Sequence, residues 1–228
     1  MGQRNGSVRR LRSRIGIAAI ATVTCFATVA ITLDSADAAP AAPIVNSTSS
    51  RVREDDPIAA VAIVALDDLA KGLAGDGSAL AKYRVERDQI AIEIANRLQI
   101  DPFRMVAAWQ NTDLAHQTAL MAAFTQLGVP YRRDSSKPGE GFDCSGLTTY
   151  AWGLAGTTLT RQSGAQIRAA APRTAETAMA GDIVYYPGHV MLWLGVDTAI
   201  VHSPYTGRNV EVDTIAKRRS TKYGDPAG

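Results

Sequence analysis

The sequence predicts an α+β protein with its helices first and an antiparallel sheet last. Apolar residues recur at helical spacing through the first half, most clearly at Leu80, Tyr83, Ile90, Ile94 and Leu98. From Gly181 onward the pattern changes to short β-rich runs separated by turn residues. Between the two lies Gly141-Phe142-Asp143-Cys144-Ser145-Gly146, where a glycine-bounded loop turns into an amphipathic segment reaching about Ala155. Helices that precede the strands, rather than alternate with them, are the order of folds with segregated layers.

At the amino terminus, Arg4, Arg9, Arg10, Arg12 and Arg14 precede an apolar run over residues 15–33. Ala36-Asp37-Ala38 followed by Ala39 then fits a cleavage site, so residues 1–38 read as a secretory signal. The run is nearly long enough to span a bilayer, and an uncleaved membrane anchor is the alternative. Cys25 reads as filler within it. Without residues 1–38, Lys plus Arg falls from 24 to 19 and Asp plus Glu from 22 to 20, so the net charge moves from +2 to about −1. The basic balance belongs to the leader, and nothing in the remaining charge points to nucleic acid. Membrane contact is expected only through the anchor. An exported chain that keeps Cys144 alone of its two cysteines cannot form an internal disulfide, which flags a free thiol.

Residues 39–56, rich in Ala, Pro, Ser and Thr, read as a flexible linker. Residues 57–111 read as a helical segment. Asp56-Pro57 opens its first helix with a capping side chain and a first-turn proline, and the residues from Gly72 to Gly77 end it. Ser78 is the expected cap of the second helix and Asp101-Pro102 starts the third. Residues 112–228 form the expected chemical domain. It opens on a helix capped by Thr112 that runs to Leu127, carrying His116, a packed or surface histidine with no partner evident in sequence. Residues 157–171 read as a loop with a short helical stretch. Strands are expected over residues 182–186, 189–194, 199–202 and 209–212, and Lys217-Arg218-Arg219 reads as a solvated tail.

The chemistry rests on Cys144. A free cysteine is often a small apolar filler, but Asp143 and Ser145 flank this one at the mouth of a helix. Free backbone N–H groups and the positive end of the dipole favour a thiolate there. His189, within Gly188-His189-Val190, and His202, within Val201-His202-Ser203, supply a base and a group to orient it. There is no CxxC metal spacing and no glycine-rich phosphate loop, so neither a metal nor another cofactor is expected. Nothing in the pattern specifies an oligomeric state.

Taken together, Tyr131, Asp143-Cys144-Ser145-Gly146, Gly181-Asp182-Ile183-Val184, Gly188-His189-Val190 and Val201-His202-Ser203 resemble the NlpC/P60 cysteine peptidases, from roughly Asp113 to the end of the chain. The resemblance implies a papain-like core in which the cysteine helix packs on a five- or six-stranded antiparallel sheet. It implies Cys144 as nucleophile, His189 as base and acid, and His202 as the residue that orients His189. Tyr131 falls near the oxyanion site, Asp143 and Ser145 at substrate-binding positions, and Arg161 on a substrate loop. Two places depart from the family's pattern. Arg132-Arg133-Asp134 replaces a glycine-containing segment, and Thr160 stands where a proline often precedes the arginine.

By the same resemblance the substrate is a peptidoglycan stem peptide, cut at the D-γ-glutamyl to meso-diaminopimelate bond by a secreted or wall-associated enzyme. A muramoyl-L-alanine amidase, another thiol acyl transferase, or a non-catalytic wall-binding module are the alternatives. For residues 57–111 the sequence leaves three roles open: support, spacer, or a lid near the cleft.

Overall fold

The computed structural model describes residues 55–216 and 221–228. The expected signal, the linker up to residue 54 and the Lys217–Arg219 tail lie outside the described residues. Among the described residues no helix is long and apolar enough to cross a membrane. The described residues belong to one compact unit.

Three helices come first: α1 (Pro57–Leu73), α2 (Gly77–Leu98) and α3 (Pro102–Gln110). Asp56 and Asp101 cap α1 and α3 as expected, their side chains accepting from the N–H groups of Ile58 and Phe103. The cap of α2 is Asp76 rather than Ser78, because the Asp76 carboxylate takes the N–H groups of both Ser78 and Ala79. The next helix, α4 (Leu114–Phe124), is capped by Asp113 rather than Thr112. The Thr112 hydroxyl instead donates to the Ala180 carbonyl at 3.1 Å, tying the start of α4 to the sheet.

A small hairpin, β1 (Ser136–Lys137) with β2 (Gly141–Phe142), leads into α5 (Cys144–Leu154). After α6 (Ser163–Ala169) come β3 (Ala171–Arg173), β4 (Ile183–Tyr186), β5 (His189–Trp193), β6 (Ala199–His202), β7 (Glu211–Thr214) and β8 (Lys222–Asp225). These six form an antiparallel sheet in the order β3-β8-β4-β5-β6-β7. The α+β expectation holds. Two strands of this sheet were not foreseen, β3 and the carboxyl-terminal β8, which inserts between β3 and β4, and nor was the β1–β2 hairpin. β7 begins two residues later than its alternation suggests.

One core joins all the layers. It runs from Ile58, Ala62 and Leu69 of α1, through Leu120 and Phe124 of α4 and Leu147 and Trp152 of α5, to Val190 and Leu192 of β5. The first three helices share that core. Trp109, fully buried, stacks on Phe124 with ring centroids 5.2 Å apart and donates its indole N–H to the Leu194 carbonyl at 2.9 Å. Arg104 pairs with Asp197, and Tyr83 and Arg87 both donate to Gln117 on α4. Leu194 and Asp197 belong to the β5–β6 turn. His189 opens β5 at its other end, about 13 Å away at the usual rise per strand residue.

His116 has partners after all. It is fully buried in α4, its Nδ1 2.9 Å from Asp113 and its Nε2 3.0 Å from Asp182 at the head of β4. Asp225 of β8 stands 3.4 Å from the same Nε2 and is itself held by Arg173 at 2.6 Å. Burial alone would push the imidazole pKa down, but the carboxylates of Asp182 and Asp113 outweigh it and the net direction is up. One ring thus joins α4, β4 and β8.

A group with a raised folded pKa contributes stability fully below its unfolded value, about 6.5 for histidine, and loses it as pH rises through the folded value. The stability gap between the wild type and His116→Gln, from urea unfolding at a series of pH values, is therefore expected to be widest below about pH 6 and to narrow as the solution becomes alkaline. A gap that is constant with pH would show that the ring is neutral in the fold.

Candidate active site

Cys144 opens α5, and the side chain of Asp143 caps that helix by accepting the N–H of Gly146 at 2.6 Å. Gly146 has no alternative at this position, since a Cβ there would stand 2.0 Å from the Ser135 carbonyl oxygen. The Asp143 N–H donates to that same carbonyl at 3.0 Å, so hairpin and helix start form one rigid corner. The thiol is half-buried at this corner, and the backbone N–H groups of Val190, Ser145 and Cys144 point at it.

The expected activation by the helix start is only part of the balance. Burial is the largest influence on Cys144 and pushes the thiol pKa up; the three N–H groups pull it down, Asp143 opposes them, and the net direction is up. Ionisation therefore depends on a proton acceptor, which places the weight on the histidines.

His189 begins β5 and His202 ends β6. The strands pair antiparallel, with Leu192 opposite Val201 and Trp193 opposite Ile200, so those two ends meet at one end of the hairpin. His189 Nε2 lies 2.9 Å from His202 Nδ1, and both rings are largely buried. With Nε2 engaged, Nδ1 is the nitrogen left to exchange a proton. His202 Nε2 in turn stands 3.5 Å from Glu211 Oε1. Ser203 fixes the strand end by donating to the Phe142 carbonyl at 2.7 Å, two residues before Cys144.

Tyr131 joins this corner through an isolated bridge to Phe142 and a 2.8 Å hydrogen bond from its N–H to the Arg208 carbonyl. Burial, with the neighbouring Cys144 and Asp143, raises its hydroxyl pKa, so the O–H keeps its proton and remains a donor. Arg161 reaches back from the loop before α6 and grips Asp143 through both guanidinium nitrogens, at 3.0 and 2.9 Å, and touches the Ser145 hydroxyl at 3.2 Å. Gln166 lies in the stretch expected as a loop over residues 157–171, and nothing in its sequence context marks it. It is buried and donates to the carbonyls of Ser145 and Thr160, which locks the Arg161 loop onto the cysteine helix. The departure at Thr160 is harmless on this account, because the carbonyl it contributes would be present in proline too.

The other departure shapes the cleft. Asp134, the last residue of that Arg132-Arg133-Asp134 segment, adopts a left-handed backbone (φ 54°), a conformation Asp and Asn tolerate better than most residues. It stands at the meeting of two concavities. One, of about 620 Å³, is lined by Asp143, Ser145, Arg161, Tyr185 and Gly188. The other, of about 580 Å³, is lined by Tyr131, Arg132, Arg133, Lys137 and Glu140. A further concavity of about 630 Å³ lies over β3 and β8, and none of the three has Cys144, His189 or His202 in its lining.

Two clusters among the described residues have donor atoms close enough for a cation: His116 with Asp182 and Asp225, and His202 with Glu211 and Asp213. In the first, His116 and Asp225 are spent on internal pairs; in the second, Arg208 holds both oxygens of Glu211. The Val190 N–H at the half-buried thiol brings the helix start next to the strand that His189 begins, and His189 is paired with His202.

Residues 128–224 match the NlpC/P60 family. The chain is 30% identical over 125 residues to the peptidoglycan endopeptidase RipA of Mycolicibacterium smegmatis, covering 48% of this chain and 25% of that protein. It is 30% identical over 113 residues to the murein DD-endopeptidase MepH of Escherichia coli, covering 45% of this chain and 41% of that one. It thus spans well under half the length of these relatives. The solved P60 domain of antigen MAP1204 from Mycobacterium avium subspecies paratuberculosis aligns with 53% of this chain and 97% of its own, at 25% identity and a TM-score of 0.44.

If His189 is what ionises the buried thiol, its removal moves Cys144 reactivity to higher pH. In His189→Ala, alkylation of Cys144 by iodoacetamide is expected to require pH above the ordinary thiol range of about 8.5, while the wild type reacts at lower pH. Overlapping pH–rate curves would show that the two groups are not coupled.

Proposed function

We propose that this protein is an exported peptidoglycan hydrolase that cuts stem peptides by a Cys-His-His mechanism, at the D-γ-glutamyl to meso-diaminopimelate bond. The 2.9 Å contact between His189 Nε2 and His202 Nδ1 carries the reading, because it orients the His189 ring for proton exchange at the corner where Cys144 sits. Relatives named as peptidoglycan or murein endopeptidases support the substrate class. A D-glutamyl residue joined to an L-centre also suits a likeness to the bifunctional muramidase/DL-endopeptidase CwlT of Bacillus subtilis, 34% identical over 88 residues, covering 35% of this chain and 27% of that protein.

The steps follow from the geometry. Cys144 gives its proton to His189 and the thiolate adds to the scissile carbonyl carbon. The oxyanion that forms accepts from the Cys144 N–H and the Tyr131 hydroxyl. Collapse breaks the C–N bond, His189 protonates the departing amine, and a thioester remains on Cys144. Water, deprotonated by His189, then adds to the thioester and releases the acid. Asp143, Ser145 and Arg161 form a charged and hydroxylic wall on one side of the thiol. The neighbouring concavity carries both signs of charge, with Arg133 paired to Asp134 at 3.8 Å and Lys137 to Glu140 at 3.6 Å beside Arg132.

Purified peptidoglycan digested with the protein is expected to yield fragments with a new amino terminus at diaminopimelate, identified by mass. Cys144→Ala should yield none and still fold, and His189→Ala should lose about 10²–10⁴-fold in rate. Fragments ending at the muramoyl-L-alanine bond would establish an amidase instead. No release by the wild type would favour a binding module.

For the helical segment of residues 57–111 we propose support rather than a lid. Its hydrogen bonds into the rest of the domain end on Gln117, Leu194 and Asp197, the last two at the far end of β5 from His189. Trp109→Ala is expected to cost about 3–5 kcal/mol in urea unfolding. Cys144 alkylation in the folded protein should be unchanged. A rise in alkylation without loss of stability would identify a lid.

A further inference from the structure

We propose that Glu211, held by Arg208, is a positioning residue that fixes the proton arrangement of both active-site histidines and so keeps His189 able to accept the thiol proton. The inference rests on the hydrolase reading above. It starts from register: β6 and β7 pair with His202 directly opposite Glu211, so the two side chains are cross-strand neighbours. Glu211 Oε1 stands 3.5 Å from His202 Nε2, which has no other polar partner among the described residues. The separation is at the long edge of a hydrogen bond, but the ring is buried and Glu211 faces it across the strands, with the Asp213 carboxylate in the same cluster.

The carboxylate is not free to turn away. Arg208, three residues before it, donates through Nε to Oε2 at 3.2 Å and through its second terminal nitrogen to Oε1. The phenol of Tyr205 backs the guanidinium, accepting from it at 3.3 Å and lying under it at 5.7 Å. Burial favours the protonated acid, yet His202 and Arg208 prevail, and Glu211 stays ionised below the usual carboxylate range.

An ionised carboxylate only accepts. Facing Glu211, neutral His202 therefore carries its proton on Nε2, which leaves Nδ1 as an acceptor. His189 Nε2, 2.9 Å from that Nδ1, must then be the donor. The neutral His189 ring has one proton, now committed to Nε2, so Nδ1 presents a lone pair. Cys144 can release its proton to that nitrogen, giving a thiolate and an imidazolium whose charge His202 and Glu211 share. Without Glu211, His202 can carry its proton on Nδ1 and donate the other way. His189 would then hold its proton on Nδ1 and could accept none there. The rings would still touch, in an arrangement without a base.

The test uses the full chain with Glu211→Ala, Glu211→Gln and His202→Ala. Three readouts are compared: kcat and KM on soluble stem peptide, the iodoacetamide rate at Cys144 near pH 7, and the imidazole ¹⁵N spectrum, which reports tautomers directly. The chain has three histidines, so the signals are assignable by mutation. Glu211→Ala is expected to lower kcat and the alkylation rate together, by about tenfold or more on the scale of general-base effects, with KM little changed. Its spectrum should show His202 shifting toward the Nδ1–H form. Glu211→Gln, which keeps an acceptor oxygen, should recover a substantial part of both rates. The inference is overturned if Glu211→Ala leaves tautomers and alkylation as in the wild type, even if its melting temperature falls. If instead the wild type cuts no stem peptide while alkylation and tautomers still depend on Glu211, the positioning role stands and the substrate assignment fails.

Discussion

The structure depends on the hydrogen bond between His189 and His202. Cys144 sits at a helix start that should favour its anion, yet burial raises its pKa on balance. A thiol whose pKa burial raises gains from an imidazole that can take its proton. The strand ends of β5 and β6 deliver two imidazoles 2.9 Å apart, and each surrounding feature keeps them there. Antiparallel pairing brings the ends together, Ser203 ties the end of β6 to the loop before Cys144, and the β6–β7 register sets Glu211 across from His202.

The corner that holds the thiol is built on complementary terms. Asp143 must cap α5, but a carboxylate beside a thiolate disfavours the thiolate. Arg161 offsets this by pairing with both Asp143 oxygens, and Gln166 secures the Arg161 loop to the cysteine helix. A capping residue, a charge-neutralising residue and a loop anchor thus serve one atom. The first three helices act at a distance from all this, through Trp109 on Phe124 and the β5–β6 turn.

The sequence revealed the parts whose chemistry is local. Cys144 between two polar residues at a glycine turn, and histidines flanked by β-branched residues, stand out without a structure. Helix type and order were legible from periodicity, but caps were displaced wherever two polar neighbours competed, as with Asp76 against Ser78 and Asp113 against Thr112. Long-range pairing left no such trace. His116 meets Asp182, 66 residues away, only after the sheet forms. β8 escaped notice because Lys222-Tyr223-Gly224-Asp225 has little β character; its place between β3 and β4 comes from tertiary pairing. Glu211 is one acidic residue among many until the register sets it opposite His202.

The central claim is that His202 governs whether Cys144 can ionise, through the ring of His189. An ultraviolet titration of the Cys144 thiolate in the wild type, His202→Ala and His189→Ala tests it most directly. The account predicts that loss of His202 moves thiolate formation to higher pH, toward the curve of the variant lacking His189. A His202→Ala curve that coincides with the wild type, in a protein that remains folded, would contradict it.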